Sequence, residues 1–526
     1  MKKSLLGVSL LTITCLYGLL AGIVILVVML AGGEILYAII GSIIVLFIQF
    51  LIAPWLTDLS MRWFYHCDFN AEIPDYLKSF IESECAKHNV KYPKIGIIND
   101  GAPNAFTYGR TKKDARIVLT RGIFELLDPN EVISVVGHEM GHIVHMDMLV
   151  MTVAQIVPLV LYAIYEIFTN NSSNDRDNNK AAIIGYIAYI LYIISQYVIL
   201  YLSRTREYFA DAFSIEETKN PNSLASALVK VGFGLSVNHT ESKHDVNKNN
   251  ALGIMSSKDS KGMAITSIKN GKFDTENIKN AMKWEMWNPW AKWFEFNSTH
   301  PLISKRLIAI SKRSNEFNQT PYIVFDLKKE ESYVDDFLIE ILISFLPAIF
   351  LIATIIMAFV SEDLLPGHGR IILSGMILLT TLTSYIKFAR AHKKGYTDRK
   401  VSDLLSEVKV SHITSVPCIL KGTVIGRGNP GCIFNEDFVI QDDTGIMFLD
   451  YNQPINIINK IFAIFKSEQY FNKEITVKGW YRRSPVPYVE IYEYTMDGKT
   501  KKIFTYPLGV ALHVIGLVVG IVVLFL

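Results

Sequence analysis

Cysteine is scarce in this chain and net charge is nearly absent. The five cysteines among 526 residues, at positions 15, 67, 85, 418 and 432, are odd in number and never stand at CxxC or other metal-ligand spacing. That pattern excludes a disulfide framework and a thiolate metal site, and leaves reduced, mostly packed thiols. Fifty-two basic against 50 acidic side chains give a formal charge of +2, so the chain as a whole calls for no polyanionic partner. A cleavable leader is not expected either. Lys2 and Lys3 precede an apolar run about twice the length of a signal h-region, with no convincing cleavage site, so it is expected to stay as a membrane span.

Apolar sequence, by contrast, is plentiful. Half the residues are hydrophobic and the mean hydropathy is +0.27, high for a soluble protein. A spanning helix needs about 20 apolar residues, and the stretches 5–31, 35–54, 148–168, 182–202, 337–360, 371–388 and 507–526 approach or reach that length. The pair 148–168 and 182–202 is also compatible with helices packed on a soluble domain. Lys387, Arg390, Lys393, Lys394, Arg399 and Lys400 follow the sixth stretch, whereas loops 32–34 and 361–370 hold only Arg370. The bias toward cytoplasmic Lys and Arg then places 55–147, 203–336 and 389–506 in the cytoplasm of a cell (inner) membrane, with the C-terminus outside.

Chemistry concentrates after residue 128. Asp128-Pro129-Asn130-Glu131 has the marks of a helix start: a capping acid, Pro at the first helical position, and Glu three residues after the cap. The helix continues through Gly137-His138-Glu139-Met140-Gly141-His142. Histidines four apart share a face and reach one tetrahedral ion. Glu139, turned about 100° from His138, is set to bind the ion's water rather than the ion. Gly137 and Gly141 remove side chains where another backbone approaches. The bland alternative is a polar helix face with two surface histidines.

A catalytic zinc site needs a third protein ligand and an open position. Ser203-Arg204-Thr205-Arg206-Glu207-Tyr208-Phe209-Ala210-Asp211 offers Glu207 as that ligand, and Asp211, four residues on, as the carboxylate that orients a ligand histidine. Two alternatives stand beside it. Glu207 pairs with Arg204 or Arg206 in a juxtamembrane salt bridge, or His145 ligates, although it is turned away from the face shared by His138 and His142. Upstream, Lys94–Asn99, Asn104–Tyr108 and Arg116–Thr120 read as short strands. They form either an edge that accepts an extended peptide beside the metal or a plain structural hairpin.

The run His138–His142 together with Ser203–Asp211 resembles the HtpX-like membrane zinc metallopeptidases, relatives of the CAAX prenyl endopeptidases. Pro103-Asn104-Ala105-Phe106 is similar to the family's Asn-Ala-Phe strand. Asn288-Pro289-Trp290-Ala291, with Ser298-Thr299-His300-Pro301 and Arg306, is similar to its distal motif, so the likeness covers residues 1–312. The resemblance implies a gluzincin-type catalytic domain, one zinc per chain on His138, His142 and Glu207, and proteolysis of membrane or misfolded proteins. Asn104, Ala105 and Phe106 are then candidate substrate-binding residues. His300 is a candidate donor to the tetrahedral intermediate or else a helix cap, and Arg306 a partner for Glu207 or Asp211.

Residues 389–506 lie beyond that likeness. Pro417–Ile425, Phe438–Gln441, Gly445–Tyr451, Glu474–Tyr481 and Tyr488–Tyr494 read as strands, with a helix near Ile455–Phe465 and a turn at Asp442-Asp443-Thr444-Gly445. Five strands with a helix between the third and fourth look like an OB-type barrel. Arg427, Tyr481, Arg482, Arg483 and Tyr488 supply some basic and aromatic surface but no basic stripe, so nucleic acid is not the partner expected. A structural or substrate-gating role is preferred. Val237–Lys283 reads as a polar insertion able to cover the cleft.

The expected architecture is a mostly α multi-pass membrane protein with an α+β zinc peptidase domain and a small all-β barrel. Its parts are two N-terminal spans (1–54), a peptidase domain (55–336), two spans (337–388), the barrel (389–506) and a last span (507–526). The function expected is a zinc metalloendopeptidase of membrane-protein quality control, with Glu139 as general base and membrane proteins or peptides as substrates. Processing of lipidated C-termini, or a non-enzymatic membrane scaffold working through the barrel, are the alternatives. Oligomeric state is left open by the sequence.

Overall fold

The computed structural model describes residues 48, 51–101, 103–170, 176–237, 268–269, 272–273, 275–329, 331–364, 366–427, 437–455, 457, 459–460, 462, 467–484 and 486–526. The stretch 5–31, most of 35–54 and residues 238–267 of the polar insertion fall outside them. After a helical segment at 51–64, the chain runs α1 (Asp75–His88), β1 (Lys94–Ile98), β2 (Ala105–Gly109), β3 (Ala115–Thr120), α2 (Arg121–Leu126), α3 (Pro129–Val144), α4 (Asp147–Asn170), α5 (Arg176–Thr218) and α6 (Pro221–Val237). It continues with α7 (Thr275–Trp287), α8 (Pro289–Phe296), α9 (Ile303–Ser314), α10 (Val334–Leu364), α11 (Gly369–Ala391) and α12 (Val401–Ser406). It ends with β4 (Val416–Arg427), β5 (Phe438–Gln441), β6 (Ile446–Asp450), β7 (Glu474–Ser484), β8 (Val486–Met496), β9 (Lys499–Lys502) and α13 (Thr505–Phe525).

Two compact units result: Met1–Ser257 with Glu295–Val324, and Lys258–Phe294 with Phe325–Leu526. The stretch 258–294, read from the sequence as part of a peptidase domain at 55–336, therefore groups with the second unit.

In the first unit, α3 begins where its sequence dictates. Asp128 accepts hydrogen bonds from the backbone of Asn130 and Glu131, and the Glu131 carboxylate accepts from Asp128 N, closing a capping box. Met146 takes a left-handed conformation, φ 54°, which ends α3 and lets α4 start at Asp147 in a new direction. The glycines of α3 admit α5. A Cβ on Gly141 would meet Ala210 Cα at 3.0 Å, and one on Gly137 would meet Ser214 Oγ at 3.1 Å. The helices α4 and α5 close on each other through Ala154, Val157, Leu161, Ala188 and Leu202, all at or near zero exposure. The three-stranded sheet has the order β1-β3-β2, with β1 parallel and β2 antiparallel to β3. Met61, Cys67, Ile98, Phe106, Tyr108 and Val118 form its apolar core.

In the second unit, β4, β5, β6, β8 and β7 pair in that order and β7 closes back on β4, making a barrel. All these pairings are antiparallel except β6 with β8. The Asp442 turn forms as read, its carboxylate accepting from Thr444 N and Gly445 N. Tyr481 and Arg483 turn inward, both at 0% exposure, so neither supplies barrel surface. Of the expected helix near Ile455–Phe465, only scattered positions are described, and Phe462 stacks on Tyr451 at 4.2 Å. Helix α7, whose first nine residues fall in what the sequence suggested was a polar insertion ending at Lys283, is amphipathic: Ile278, Met282 and Trp284 are buried. Trp284 Nε1 donates to Val410 O (2.7 Å), Asn288 Nδ2 donates to Val408 O (2.8 Å), and Arg483 lies over the Trp284 ring.

Among the described residues, five helices are long and apolar enough to cross a membrane: Asp147–Thr169, Ala182–Thr218, Val334–Val360, Gly369–Ala391 and Thr505–Phe525. Gly509, Gly516 and Gly520 of α13 let it approach Phe388, Thr381 and Leu378 of α11.

Candidate metal centre

The capped, glycine-admitting α3 delivers His138 and His142 to α5 from one side, and α5 delivers Glu207 to them. His138 is fully buried, Glu139 is 2% exposed and Glu207 is 7% exposed. The two Nε2 atoms lie 3.2 Å apart, and Glu207 stands 3.5 Å from His138 Nε2 and 3.7 Å from His142 Nε2. Ligands on a tetrahedral ion with bonds of 2.0–2.1 Å sit about 3.4 Å from one another, so the three side chains fit a zinc-like cation without rearrangement. Glu207 Oε2 is buried and accepts no hydrogen bond, with His138 Nε2 and Arg306 Nη1 each 3.5 Å away.

Each imidazole is held from behind. Asp211 Oδ1 is 2.9 Å from His138 Nδ1, and His142 Nδ1 donates to Asp147 Oδ2 at 2.6 Å. A carboxylate at Nδ1 keeps the ring proton there and frees the Nε2 lone pair for a metal. The carboxylates are anchored in turn. Arg306, at 0% exposure, grips Asp211 with Nε (2.9 Å) and Nη2 (2.7 Å) and reaches Glu207 with Nη1 at 3.5 Å, while Arg206 Nε lies 3.0 Å from Asp147 Oδ1. Burial alone favours the neutral ring, yet Asp211 and Glu207 push His138 up to about 9.

His300 brings its Nε2 to 3.9 Å from Glu207 Oε1, with Nδ1 3.0 Å from Thr299 Oγ1. It does not cap α9, whose N-cap position is Leu302. Arg204 donates to the carbonyls of Glu295 (2.8 Å) and Ser298 (2.7 Å), anchoring the strip that carries His300. Neither Arg204 nor Arg206 makes the salt bridge to Glu207 weighed from the sequence. His145 packs against Phe209 and Phe213 and stays outside the ligand group. Asp147 and Arg206 were missed as supports of the site. The signal was faint: an acid five residues beyond a ligand histidine, across a helix break.

Strand β2 is an edge of its sheet, and it runs beside α3, where Thr107 Oγ1 donates to Glu139 O (3.4 Å). Asn104 bonds Thr120 on β3, through Thr120 N to Asn104 O and Asn104 N to Thr120 Oγ1. By the alternation of an antiparallel ladder, Ala105 and Thr107 then turn their backbone groups away from β3, where Ala105 N donates to Asn104 Oδ1 (2.9 Å). Ala105 and Phe106 are themselves buried.

A model of peptidase family M48 matches residues 72–314. A protease HtpX homolog of Methanothermobacter thermautotrophicus is 40% identical over 223 residues, 42% of this chain and 83% of that protein. The chain belongs to peptidase family M48. It shares 41% identity over 165 residues with the HtpX homolog of Pediococcus pentosaceus, 29% of this chain and 55% of that one, so it spans about half of that relative. Among solved structures, Ste24p of S. mikatae is 18% identical, covering 56% of this chain and 67% of that one with a TM-score of 0.29. The matched M48 region contains every residue of the metal centre described above and ends before α10, leaving the barrel outside it.

Proposed function

We propose that this M48 peptidase is a multi-pass zinc metalloendopeptidase of membrane-protein quality control, with zinc on His138, His142 and Glu207 and Glu139 as general base. The observation that carries this is the convergence of two imidazole Nε2 atoms and one buried carboxylate at tetrahedral spacing, each histidine backed by a carboxylate at Nδ1. Bound there, zinc supplies Lewis-acid polarisation of the scissile carbonyl and lowers the pKa of water to about 7. Glu139, between the ligand histidines in sequence and nearly buried, accepts the water's proton and returns it to the leaving amine. His300, near Glu207, donates to the oxygen on which negative charge develops. Arg306 and Asp211 hold Glu207 and His138 in place. The outward edge of β2, at Ala105 and Thr107, binds the substrate as an added strand, with Asn104 and Phe106 fixing that edge from behind.

The site and the barrel face the cytoplasm in this reading. The barrel's strand order, with one parallel pair, supports an OB-type module, for which we propose a substrate-gating rather than a nucleic-acid-binding role.

The test is cleavage of unfolded casein and of a prenylated peptide by purified protein. Glu139→Gln should keep one zinc per chain and abolish cleavage. Glu207→Gln should lose zinc, and retention of wild-type affinity there would refute the third ligand. Cleavage of the prenylated peptide alone would replace quality control with processing of lipidated C-termini.

A further inference from the structure

A second group of ligand-type side chains lies in the first unit, away from the metal centre. Glu84 and His88 stand four apart on α1, and Glu217 lies near the end of α5, ten residues or about 15 Å of helix rise beyond Glu207. His88 Nε2 is 3.1 Å from Glu217 Oε1 and 3.4 Å from Glu84 Oε2, and one ligand atom from each residue falls within 4.8 Å of the others. These separations match the edge of a tetrahedral site, as at His138 and His142. Glu84 is only 5% exposed, and its buried Oε2 accepts no hydrogen bond. Lys87 Nζ bonds Glu217 Oε2, which leaves Oε1 turned toward the imidazole. The His88 ring is steadied by Phe213 at 5.0 Å.

We propose that Glu84, His88 and Glu217 form a second divalent-cation site that staples α1 to the far end of α5. One imidazole and two carboxylates are a borderline-hard donor set, suited to a first-row ion of the Zn²⁺ or Mn²⁺ kind. The ion ties residues more than 120 positions apart in sequence, a long closed loop of the sort a metal clip stabilises well. Its role is structural, because none of its three residues belongs to the proposed catalytic set. The rival is the direct contact of His88 with the two glutamates, one of them also held by Lys87.

Full-length protein in detergent, stripped with chelator, reloaded with Zn²⁺ or with Mn²⁺ and desalted, would be counted by inductively coupled plasma mass spectrometry. Wild type should hold two ions per chain, and His88→Gln, Glu84→Gln and His142→Ala one each. A metal-dependent rise in melting temperature should persist in His142→Ala and vanish when His88→Gln is added to it. Casein cleavage should survive in His88→Gln. One ion in wild type and in His88→Gln, with none in His142→Ala, would overturn the second site and leave the catalytic one standing. Two ions in His88→Gln and Glu84→Gln would overturn it as well.

Discussion

Each of the two proposed ligand histidines meets a carboxylate at Nδ1, but only Asp211 stands at helical spacing from another site residue, Glu207, and only it was legible in the sequence. Asp147 reaches His142 across the left-handed turn at Met146, a geometry that no periodicity encodes. Asp147→Asn should weaken zinc binding about 10–100-fold, measured by competition with a chromogenic chelator, and unchanged affinity would remove Asp147 from the support of His142. A different acid contributes to stability. Asp58 accepts from Arg116 Nε (3.0 Å) and Tyr108 OH (2.8 Å) and lies 3.2 Å from Lys94 Nζ. Burial works to raise its pKa, yet these partners hold it below the usual carboxylate range. A depressed folded pKa contributes stability that is present above the unfolded value near 3.9 and is lost as pH falls through the folded one. Asp58→Asn should therefore cost about 2–3 kcal/mol at pH 7. That gap should narrow toward pH 3 in denaturant titrations, and a gap that widened on acidification would contradict the assignment.

At the scale of elements, the sequence disclosed most where local chemistry decides. The Asp128 cap, the paired glycines of α3 and the Asp442 turn are all as read. Less was legible where pairing is remote. Nothing local marks β1 as parallel to β3, or sends α7 and Asn288 to the barrel unit, because those partners lie far along the chain. The glycines make separable predictions. In a helix, Gly→Ala gains up to about 1 kcal/mol of propensity, whereas overpacking a tight interface costs about 1–3 kcal/mol. At Gly141 the new methyl meets Ala210 Cα at 3.0 Å, Phe213 Cβ at 3.2 Å and Ala210 O at 3.3 Å, so the α5 backbone itself would have to give way. Gly141→Ala should lower thermal stability and loosen zinc, since it pushes His142 away from α5. At Gly137 the nearest atom is the Ser214 hydroxyl, which is tied to Ser134 O (2.6 Å) but is not backbone, so Gly137→Ala should cost less than Gly141→Ala. Equal melting temperatures for the two variants would show that α3 and α5 are not held by this contact.

For the whole molecule, the basic residues after α11 and the proposed orientation give a simple accessibility experiment. Cysteines introduced by Lys312→Cys and Lys394→Cys should react with an impermeant maleimide only after the cytoplasmic side is opened. His368→Cys, between α10 and α11, should react from the other side. Labelling of positions 312 and 394 from opposite sides would require a different number of crossings. The chain also passes from the first unit to the second and back between Ser257 and Glu295, before the rest of the barrel unit has been written. Trp284 leaves the ribosome with its hydrogen-bond acceptor at Val410 and its cation at Arg483 still to come, the latter about 200 residues later. At 5–20 residues per second that delay lasts roughly 10 to 40 s. During synthesis, then, His138, His142 and Glu207 are already in the chain while the Trp284 indole still lacks the partners that cover it in the folded protein.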